Sequence, residues 1–338
     1  MAVMKDVAKL AGVSVSTVSF VLNGTAKEHK VADDTAQKVI KAARQLGYKM
    51  NSSANEPNAL KKWQPTVAFF IPVNSVWMDM NVIHSSINRH RKQTGRDYNI
   101  LLCPYETGRL TEKIDRVHIS AYDSAVISIE NENDLKELED RAGSAPFVIY
   151  NHSSSRYSSV SYVADEAISQ AVKMISAKGC SKILVLSGRD SRQHGDEYFN
   201  LFIRCCEENG IKLSKDAFIA TENTMIGGAI AARYILNMEA KPEIIICMNS
   251  TLAFGAIPLL ARNHFLIPRD AELLCFGSSG DAEHIVNYIP SLSMIARPLD
   301  EITIKAFDTA LRLADGKGAD PIHYTCFCDL YLHDSFSL

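Results

Sequence analysis

The chain lacks the residue patterns that build disulfide-rich and metal-binding scaffolds. Its eight cysteines among 338 residues are too sparse for a disulfide framework, and the C-x2-C spacing typical of zinc sites does not occur. No stretch approaches the roughly 18 consecutive apolar residues of a membrane span, and residues 1–6 lack the pattern of a secretion signal. We therefore expect a cytoplasmic protein with reduced thiols, without a metal or other cofactor and without membrane contact.

Signatures of common enzymes are also missing. The sequence contains none of the patterns G-x-G-x-x-G, G-x-x-x-x-G-K-[ST], G-x-S-x-G and H-E-x-x-H, which mark nucleotide sites, hydrolases and metalloproteases. Hydrophobic residues make up 46% of the chain, which excludes disorder, and the length fits two or three domains. The sequence thus predicts a folded, multi-domain protein that is not an enzyme.

Positive charge is concentrated at the start of the chain. Residues 1–65 contain ten lysine or arginine residues and five aspartate or glutamate residues, a net charge of +5. The rest of the chain has a net charge of -8. This division favours binding of a polyanion through the basic segment, because the acidic body would repel it.

Three short helices are predicted in the basic segment. The first covers residues 5–11 and ends at Gly12, and the second covers residues 15–22 with Ser14 as its N-cap. The third runs over about residues 33–46. The residues predicted to be buried are Val7, Leu10, Ala11, Val18, Val21, Leu22, Ala36, Val39, Ile40, Ala43 and Leu46. The first two helices outline a helix-turn-helix, whose second helix enters the major groove of DNA.

This segment closely resembles the headpiece of the lactose-repressor (LacI/GalR) family of bacterial transcription regulators. The resemblance rests on KDVAKLAGVSVSTVS at residues 5–19, VLNG at residues 21–24 and LGY at residues 46–48. It implies a ligand-responsive repressor that binds a palindromic double-stranded operator as a homodimer or a tetramer. The implied fold is a small all-α helix-turn-helix headpiece plus a two-lobed α/β effector domain of parallel, doubly wound sheets, as in periplasmic binding proteins.

The resemblance also implies which residues contact DNA. They are Met4, Lys5, Ser14, Val15, Ser16, Thr17, Ser19, Phe20 and Asn23 in the headpiece, and Leu60 and Lys61 in a hinge. Family members commonly have an arginine at the position of Phe20, able to bind guanine through two hydrogen bonds. We expect Val15 and Ser16 to read bases instead. Phe20 either contacts a thymine methyl group or a sugar, or packs in the headpiece core.

The hinge can be aligned with the family in two registers. Counting forward from Tyr48 puts Pro57 where the family has a leucine that inserts into the minor groove, and proline would break a helix there. Counting back from the first strand puts Leu60 at that position, with Pro57 starting a new helix. We prefer the second register, because basic residues then follow the leucine.

Apolar runs alternate with amphipathic stretches from residue 66 onward, as in βαβ units. The runs are residues 67–71, 100–103, 124–129, 147–150, 182–186, 244–248 and 273–276. The expected domains are a headpiece at 1–49, a hinge at 50–65 and a body at 66–338. Within the body, we expect an N-lobe of residues 66–163 and 296–324 and a C-lobe of residues 164–295 and 325–338.

An effector pocket between the lobes follows from the resemblance, at the carboxyl ends of the strands. Its candidate lining residues are Trp77, Met78, Asn151, Tyr198, Asn249 and Ser278. Charged residues that many family members direct at a ligand are replaced here by Tyr198, Ser250 and Gly277. The effector is expected to be a sugar or a related metabolite, and the loss of charged groups favours a less polar or larger ligand, or none.

Three other functions compete with this assignment, one of which is a small-molecule enzyme on an α/β scaffold, although the sequence shows no nucleophile and base pattern for it. A DNA-binding regulator could respond to a protein partner or have no small effector, and the altered pocket favours that alternative. A solute-binding protein would share the body fold but not the headpiece. Redox sensing through Cys326 and Cys328, which share one face of an apparent strand, is less favoured than a buried structural role.

Overall fold

Three helices at the start of the chain form a small domain of their own. The computed structural model describes residues 3–22, 25–26, 29–46, 48, 64–73, 77–117, 121–141, 145–189, 197–317 and 320–337. Helix α1 spans Met4–Ala11, α2 spans Val15–Leu22 and α3 spans Asp33–Gln45, which confirms the three predicted helices. Gly12 ends α1 with a φ of 67°, a left-handed conformation that glycine adopts without strain.

The core of this headpiece is made of small and branched apolar side chains. Val7, Val18, Val21 and Val39 are 0–2% exposed, and Ala8, Ala36, Ala42 and Ala43 complete the cluster. Two predicted core residues are wrong: Leu10 is 51% and Leu46 is 36% exposed. The buried stripe of α1 is centred between Val7 and Ala8, and at about 100° per residue Leu10 lies about 110° around the helix from it. Leu46 is exposed because it follows the end of α3.

The first sheet of the body is parallel throughout and confirms the predicted α/β class. Its strands are β1 at Thr66–Pro72, β2 at Asn99–Tyr105, β3 at Ser124–Ser128, β4 at Phe147–Tyr150, β5 at Ser158–Val163 and β11 at His323–Phe327. The strand order is β11-β5-β4-β3-β1-β2. The strands β1 and β4 consist almost entirely of buried apolar residues, because helices cover both faces of such a sheet.

The second sheet repeats this plan with one antiparallel edge strand. Its strands are β6 at Ile183–Gly188, β7 at Phe218–Thr221, β8 at Ile244–Cys247, β9 at Glu272–Ser278, β10 at Ser293–Arg297 and β12 at Asp329–Tyr331. The order is β12-β10-β9-β8-β6-β7, and β12 runs antiparallel to β10.

Helices surround the two sheets. They are α4 at Trp77–Thr94, α5 at Leu110–Arg116, α6 at Glu132–Glu139, α7 at Asp165–Ala177, α8 at Glu197–Glu208, α9 at Met225–Asn237, α10 at Ser250–Arg262, α11 at Ala282–Ile285 and α12 at Leu299–Ala314. We call the first sheet with α4, α5, α6 and α12 the N-lobe, and the second sheet with α7 to α11 the C-lobe. One buried cluster contains residues of both lobes, among them Phe69, Tyr162, Phe276 and Phe307.

Strands β10 and β11 mark where the chain crosses between the two sheets. The predicted crossings at 295/296 and 324/325 fall inside β10 and β11, and each of these strands belongs wholly to one sheet. The crossings therefore lie after Arg297 and after Phe327, because a strand that is hydrogen-bonded along its length cannot be divided between two sheets.

All seven predicted apolar runs lie on strands and the apparent strand at Cys326 is β11, whereas the other four strands were not predicted. These are β5, β7, β10 and β12, which are short or carry polar side chains. In β5, Ser158 and Ser159 are buried because their hydroxyls bond to the neighbouring segment: Ser159 Oγ lies 2.8 Å from His323 Nδ1, and Ser158 Oγ accepts from Ile322 N at 3.1 Å.

Seven of the eight cysteine side chains are buried and all eight are free thiols. Burial raises the pKa of Cys326 to about 11 and that of Cys328 to about 12, which disfavours the reactive thiolate. Cys326 lies in β11, and Cys328 is the first residue after that strand. Within the described ranges, no helix is long and apolar enough to cross a membrane.

Candidate nucleic-acid interface and interlobe cleft

Helix α2 begins with a network of hydroxyl groups. Ser14 Oγ accepts a hydrogen bond from Thr17 N at 3.0 Å and therefore caps the helix, as predicted. The same oxygen lies 2.8 Å from Ser16 Oγ and 2.8 Å from Thr17 Oγ1. Three hydroxyls are thus held together at the N-terminus of the helix, where backbone N–H groups and the helix dipole favour anionic groups.

The predicted DNA-contacting residues of the headpiece differ in their exposure to solvent. Lys5, Ser14, Val15 and Ser16 are exposed, while Thr17, Ser19 and Phe20 are partly buried. Met4 differs from the others because it packs against the headpiece core. The exposed set combines a cation, hydroxyls and an apolar group, which are suited to phosphates, base edges and thymine methyl groups respectively.

Phe20 does not belong to the headpiece core. Its ring stacks on the imidazole of His29, with ring centroids 3.6 Å apart and planes inclined by 14°. The prediction that Phe20 packs in the headpiece core is therefore wrong. Val18 and Val21 occupy the buried face of α2, and Phe20 projects from a different face of the helix.

Three predicted DNA-binding residues lie outside the described residues. They are Asn23, Leu60 and Lys61, together with Pro57 of the alternative hinge register.

A buried carboxylate organises the C-lobe side of the cleft between the lobes. Asp281, 4% exposed, accepts hydrogen bonds through Oδ2 from Ser250 Oγ at 3.0 Å, Ser278 N at 2.8 Å and Ser278 Oγ at 3.3 Å. Ser278 is a predicted effector residue, but its side chain is 1% exposed and engaged with Asp281. A buried charge needs such donors, so this network fixes the end of β9 against the start of α10.

Asn249 also has a structural task. Its side chain caps α10 by accepting from Thr251 N at 2.8 Å, and it accepts from the Thr251 hydroxyl as well. Because its carboxamide oxygen is already used twice, the amide nitrogen is the group of Asn249 best able to meet a ligand.

Two stacked tyrosines lie between the lobes. Tyr198 of α8 is parallel to Tyr162 of β5, with ring centroids 5.4 Å apart and planes inclined by 6°. The Tyr162 hydroxyl interacts with Tyr198 and with Arg297, whose Nε donates to the carbonyl oxygen of Gly277 at 3.3 Å. Burial is the main cause that raises the pKa of both tyrosines. The position predicted to face a ligand is thus occupied by protein contacts.

The remaining predicted effector residues are spread around the N-lobe. Asn151 follows β4 in a left-handed conformation, with a φ of 70°, and its N–H donates to Val160 O at 2.8 Å. Trp77 and Met78 begin α4, and their side chains lie outside the described part of the structure. Tyr198, Asn249 and Ser278 are therefore linked by contacts to one region of the cleft. Among the described residues, Asn151 has no such contact to that region.

A cavity of about 190 Å³ lies where α4 meets the segment after β9, and we call it the rim cavity. It is lined by Asn81, Val82, Ser85, Ser86, Arg89, Ser279, Gly280, Asp281, His284 and Asp300. Ser86 Oγ is buried and has no hydrogen-bond partner among the described residues. Arg89 pairs with Asp300 at 3.3 Å, and Ser279 Oγ donates to Asp300 at 2.6 Å. The rim cavity thus offers donors and acceptors from both lobes.

A larger cavity, of about 440 Å³, lies elsewhere. It is lined by the amino-terminal start of β6 and the C-terminal ends of α7, α8 and α9, including Lys182, Gly210 and Met238. This is the end of the sheet opposite to the cleft, where α/β proteins of this kind do not usually bind ligands. In the described ranges no group of three or more His, Cys, Asp or Glu side chains could hold a metal ion.

Several cleft residues were not predicted as site residues. Asp281, Tyr162 and the rim-cavity residues other than Asp300 carry no local motif, because they act through partners distant in sequence. The available signal was the pattern Arg297-Pro298 with Asp300, which lies where the chain crosses between the lobes.

Comparisons with known proteins agree with both parts of this arrangement. Residues 3–51 match the model of the bacterial regulatory proteins of the lacI family, and residues 158–336 match that of a periplasmic binding protein-like domain. The chain is 28% identical over 318 residues to the HTH-type transcriptional repressor PurR of Vibrio atlanticus, covering 92% of this chain and 91% of that protein.

Solved structures show the same fold. A LacI family transcription regulator from Clostridium acetobutylicum matches with a TM-score of 0.72 at 23% identity, covering 80% of this chain and 99% of that one. The lac repressor dimer bound to operator and the anti-inducer ONPF matches with a TM-score of 0.63 at 17% identity, covering 99% and 98%. A helix-turn-helix headpiece joined to a two-lobed periplasmic-binding-protein-like body defines one class of regulator. The chain belongs to the lacI family of bacterial regulatory proteins.

Proposed function

We propose that this protein is a sequence-specific transcriptional repressor that binds duplex DNA through α2 and is controlled through the interlobe cleft. The observation that carries the DNA-binding part is the exposed start of α2, where Ser14 caps the helix and presents Val15 and Ser16. A helix-turn-helix inserts this end of its second helix into the major groove. The repressors among its relatives support the direction of regulation.

The contacts divide into two kinds. Ser16 donates or accepts hydrogen bonds at a base edge and Val15 contacts a thymine methyl group, so both contribute to sequence preference. Lys5 and the hydroxyls of Ser14 and Thr17 contact phosphates, which contributes to affinity for any sequence. We propose Met4, Ser19, Phe20 and Asn23 as further DNA contacts of the headpiece, and Leu60 and Lys61 as DNA contacts of the hinge.

Selection from a randomised duplex library tests this division directly. We expect Ser16→Ala to change the selected sequence while keeping nonspecific affinity, and Lys5→Ala to weaken all sequences without changing the preference. Gln37→Ala, at an exposed position of α3, is the matched control and should change neither. The division between readout and phosphate contact fails if Ser16→Ala selects the wild-type sequence.

The expected organisation follows from the family. Two copies of the chain form a homodimer, or a tetramer, on a palindromic operator in the cytoplasm. In each copy residues 1–49 bind the major groove, residues 50–65 form the hinge and residues 66–338 bind the effector and the partner copy. Sedimentation with and without operator measures the stoichiometry.

We propose that a small, polar molecule in the cleft controls DNA binding. The rim cavity supports this, because its serine hydroxyls, Arg89 and Asp300 come from both lobes and Ser86 has an unused hydroxyl. A ligand there would contact both lobes and so stabilise one arrangement of them over another. The effector is a sugar or a related metabolite of about the size of a sugar.

A screen of monosaccharides and sugar acids by thermal shift, followed by operator binding, tests the effector proposal. A genuine effector raises the melting temperature of wild type and changes operator affinity, and Ser86→Val removes both effects. Control by a protein partner, without a small effector, is the second candidate, favoured by the Tyr162–Tyr198 stack in the central cleft. The absence of any shift across the screen would support that candidate.

Catalysis forms no part of the proposed function. Asp281 is the most buried of the cleft carboxylates described. Its Oδ2 atom accepts hydrogen bonds from Ser250 and Ser278 and so holds the end of β9 against the start of α10. We expect no turnover of molecules that bind in the cleft, which chromatography of a ligand after prolonged incubation would test.

A further inference from the structure

Thr25 and His29, which follow α2, contact the end of that helix. The carbonyl oxygen of Phe20 accepts hydrogen bonds from Thr25 N at 2.9 Å and from Thr25 Oγ1 at 3.3 Å. Thr25 O in turn accepts from His29 N at 3.2 Å. Thr25 therefore links the backbone of His29 to that of Phe20, the residue on which the His29 side chain stacks.

The chain beyond His29 is fixed as well. Lys30 adopts a left-handed conformation with a φ of 54°, and Val31 N then donates to Ala26 O at 2.9 Å. Ala26 and Val31 both pack against the headpiece core. This turn directs the imidazole of His29 outward, over the ring of Phe20.

The stack lies on the face of α2 that carries Ser16. Positions four residues apart are neighbours on one helix face, so Phe20 lies one turn beyond Ser16. Val18 and Val21 occupy the buried side. His29 is exposed and Phe20 is partly buried, so the pair contributes little to the headpiece core. Its position favours a role at the DNA surface.

We propose that His29 is a positioning residue that holds the ring of Phe20 for contact with a thymine methyl group in the major groove. This rests on the proposed DNA-binding function. A phenylalanine ring on an exposed helix face rotates about its side-chain bonds, and ordering it on binding costs affinity. The imidazole stacked at 3.6 Å fixes the plane of the ring beforehand, so that its outer edge meets the methyl group.

The test compares base preference in a set of variants of the full-length protein. The sequence selected by wild type from a randomised duplex serves as the probe, and affinities are measured with each base in turn at every position. Phe20→Ala should reduce the preference for thymine at one position by about fivefold or more. His29→Ala should reduce the preference at that same position to a similar extent, with nonspecific affinity unchanged.

Rescue separates positioning from direct contact. His29→Phe retains an aromatic ring for stacking but has no ring nitrogen, so it should restore the thymine preference. The double variant of Phe20→Ala and His29→Ala should match Phe20→Ala alone, because the two residues act as a unit. Gln37→Ala controls for exposed substitutions. Thermal unfolding of each variant establishes that the headpiece is folded, and His29→Gln replaces His29→Ala if that variant unfolds.

Each result decides between the two claims. Unchanged preference in His29→Ala and His29→Gln, with loss in Phe20→Ala, overturns the positioning role but leaves DNA binding intact. Loss that His29→Phe does not restore also overturns it, because His29 then contacts a base through its own nitrogen. A wild-type protein that selects no sequence would instead refute the proposed function itself.

Discussion

The ring of Tyr198 lies parallel to that of Tyr162 across the interlobe cleft, with centroids 5.4 Å apart and planes inclined by 6°. Tyr198 belongs to α8 of the C-lobe and Tyr162 to β5 of the N-lobe, so the stack joins the lobes directly. Arg297 extends the contact to Gly277 at the end of β9. The arrangement of the two lobes therefore depends on aromatic packing at a place where a ligand was expected.

Shortening Tyr198 should weaken the contact between the lobes. We expect Tyr198→Ala to lower the free energy of unfolding by about 2 kcal/mol, because it removes a partly buried ring and leaves a cavity. Tyr198→Phe keeps the stack and loses only the contact between hydroxyl groups, so it should cost about 1 kcal/mol. Urea denaturation measures both. Equal losses in the two variants would show that the ring does not contribute.

Gly280 is a second contact between the lobes, and there a side chain does not fit. A Cβ atom at Gly280 would lie 1.9 Å from Val82 Cγ2 of α4. We expect Gly280→Ala to destabilise the protein by about 1–3 kcal/mol through overpacking. Because the clash is with Val82, the added substitution Val82→Ala should recover most of the loss.

Thermal unfolding of the single and double variants measures this coupling. Val82→Ala alone is the control for the methyl groups that it removes. Additive losses in the double variant would contradict a direct contact between these two residues.

The Ser14 cap should matter for both stability and DNA binding. We expect Ser14→Ala to cost about 1 kcal/mol, because Thr17 N loses its partner and the start of α2 frays. The loss should also reduce operator affinity, since Ser16 and Thr17 lose the hydroxyl that orders them. Ser14→Asn retains a capping oxygen and is the matched control. If Ser14→Asn and Ser14→Ala are equally unstable, the cap is not the cause.

Alkaline pH should destabilise the N-lobe through Tyr122. A tyrosine in the unfolded chain has a pKa near 10, whereas burial raises the pKa of Tyr122 to about 12. Below about pH 10 the hydroxyl keeps its proton in both states, so its contribution to stability is complete. Between about pH 10 and 12 only the unfolded state releases the proton, and the free energy of unfolding falls by up to about 1.4 kcal/mol per pH unit.

The variant Tyr122→Phe removes this titration. Unfolding measured from about pH 9 to 11.5 should therefore show a shallower decline than in wild type. Identical pH profiles would mean that Tyr122 ionises equally in both states.

Local signals were sufficient to predict the helix ends of the headpiece. Gly12 and Ser14 could be interpreted from the sequence because a helix end and its cap involve only adjacent residues. The prediction that Leu10 is buried was wrong because a stripe of apolar residues can be centred on either side of Val7. Contacts with α2 and α3 decide which side is buried. The stack of Phe20 on His29 depends on the path of a loop, which no periodicity reveals.

The body shows the same division between near and distant contacts. Buried apolar strands such as β4 were predictable, whereas β5 was not, since its serines are buried by partners more than 150 residues away. Ser278 is a candidate from the sequence, but its bond to Asp281 and the link from Asp281 to Ser250 required the folded chain. Tertiary pairing thus determines which polar residues remain available to a ligand.

Binding of a palindromic duplex at increasing salt tests whether this chain is a sequence-specific DNA-binding protein. Fluorescence anisotropy with the selected operator and a scrambled duplex, between about 50 and 200 mM salt, measures affinity and preference together. We expect affinity to fall about 10³-fold over that range, because the release of counterions from the phosphates is less favourable at higher salt. We also expect two chains to bind each operator, with a preference of about 10³-fold over the scrambled duplex. Affinity that does not change with salt, or that is equal for the two duplexes, would contradict it.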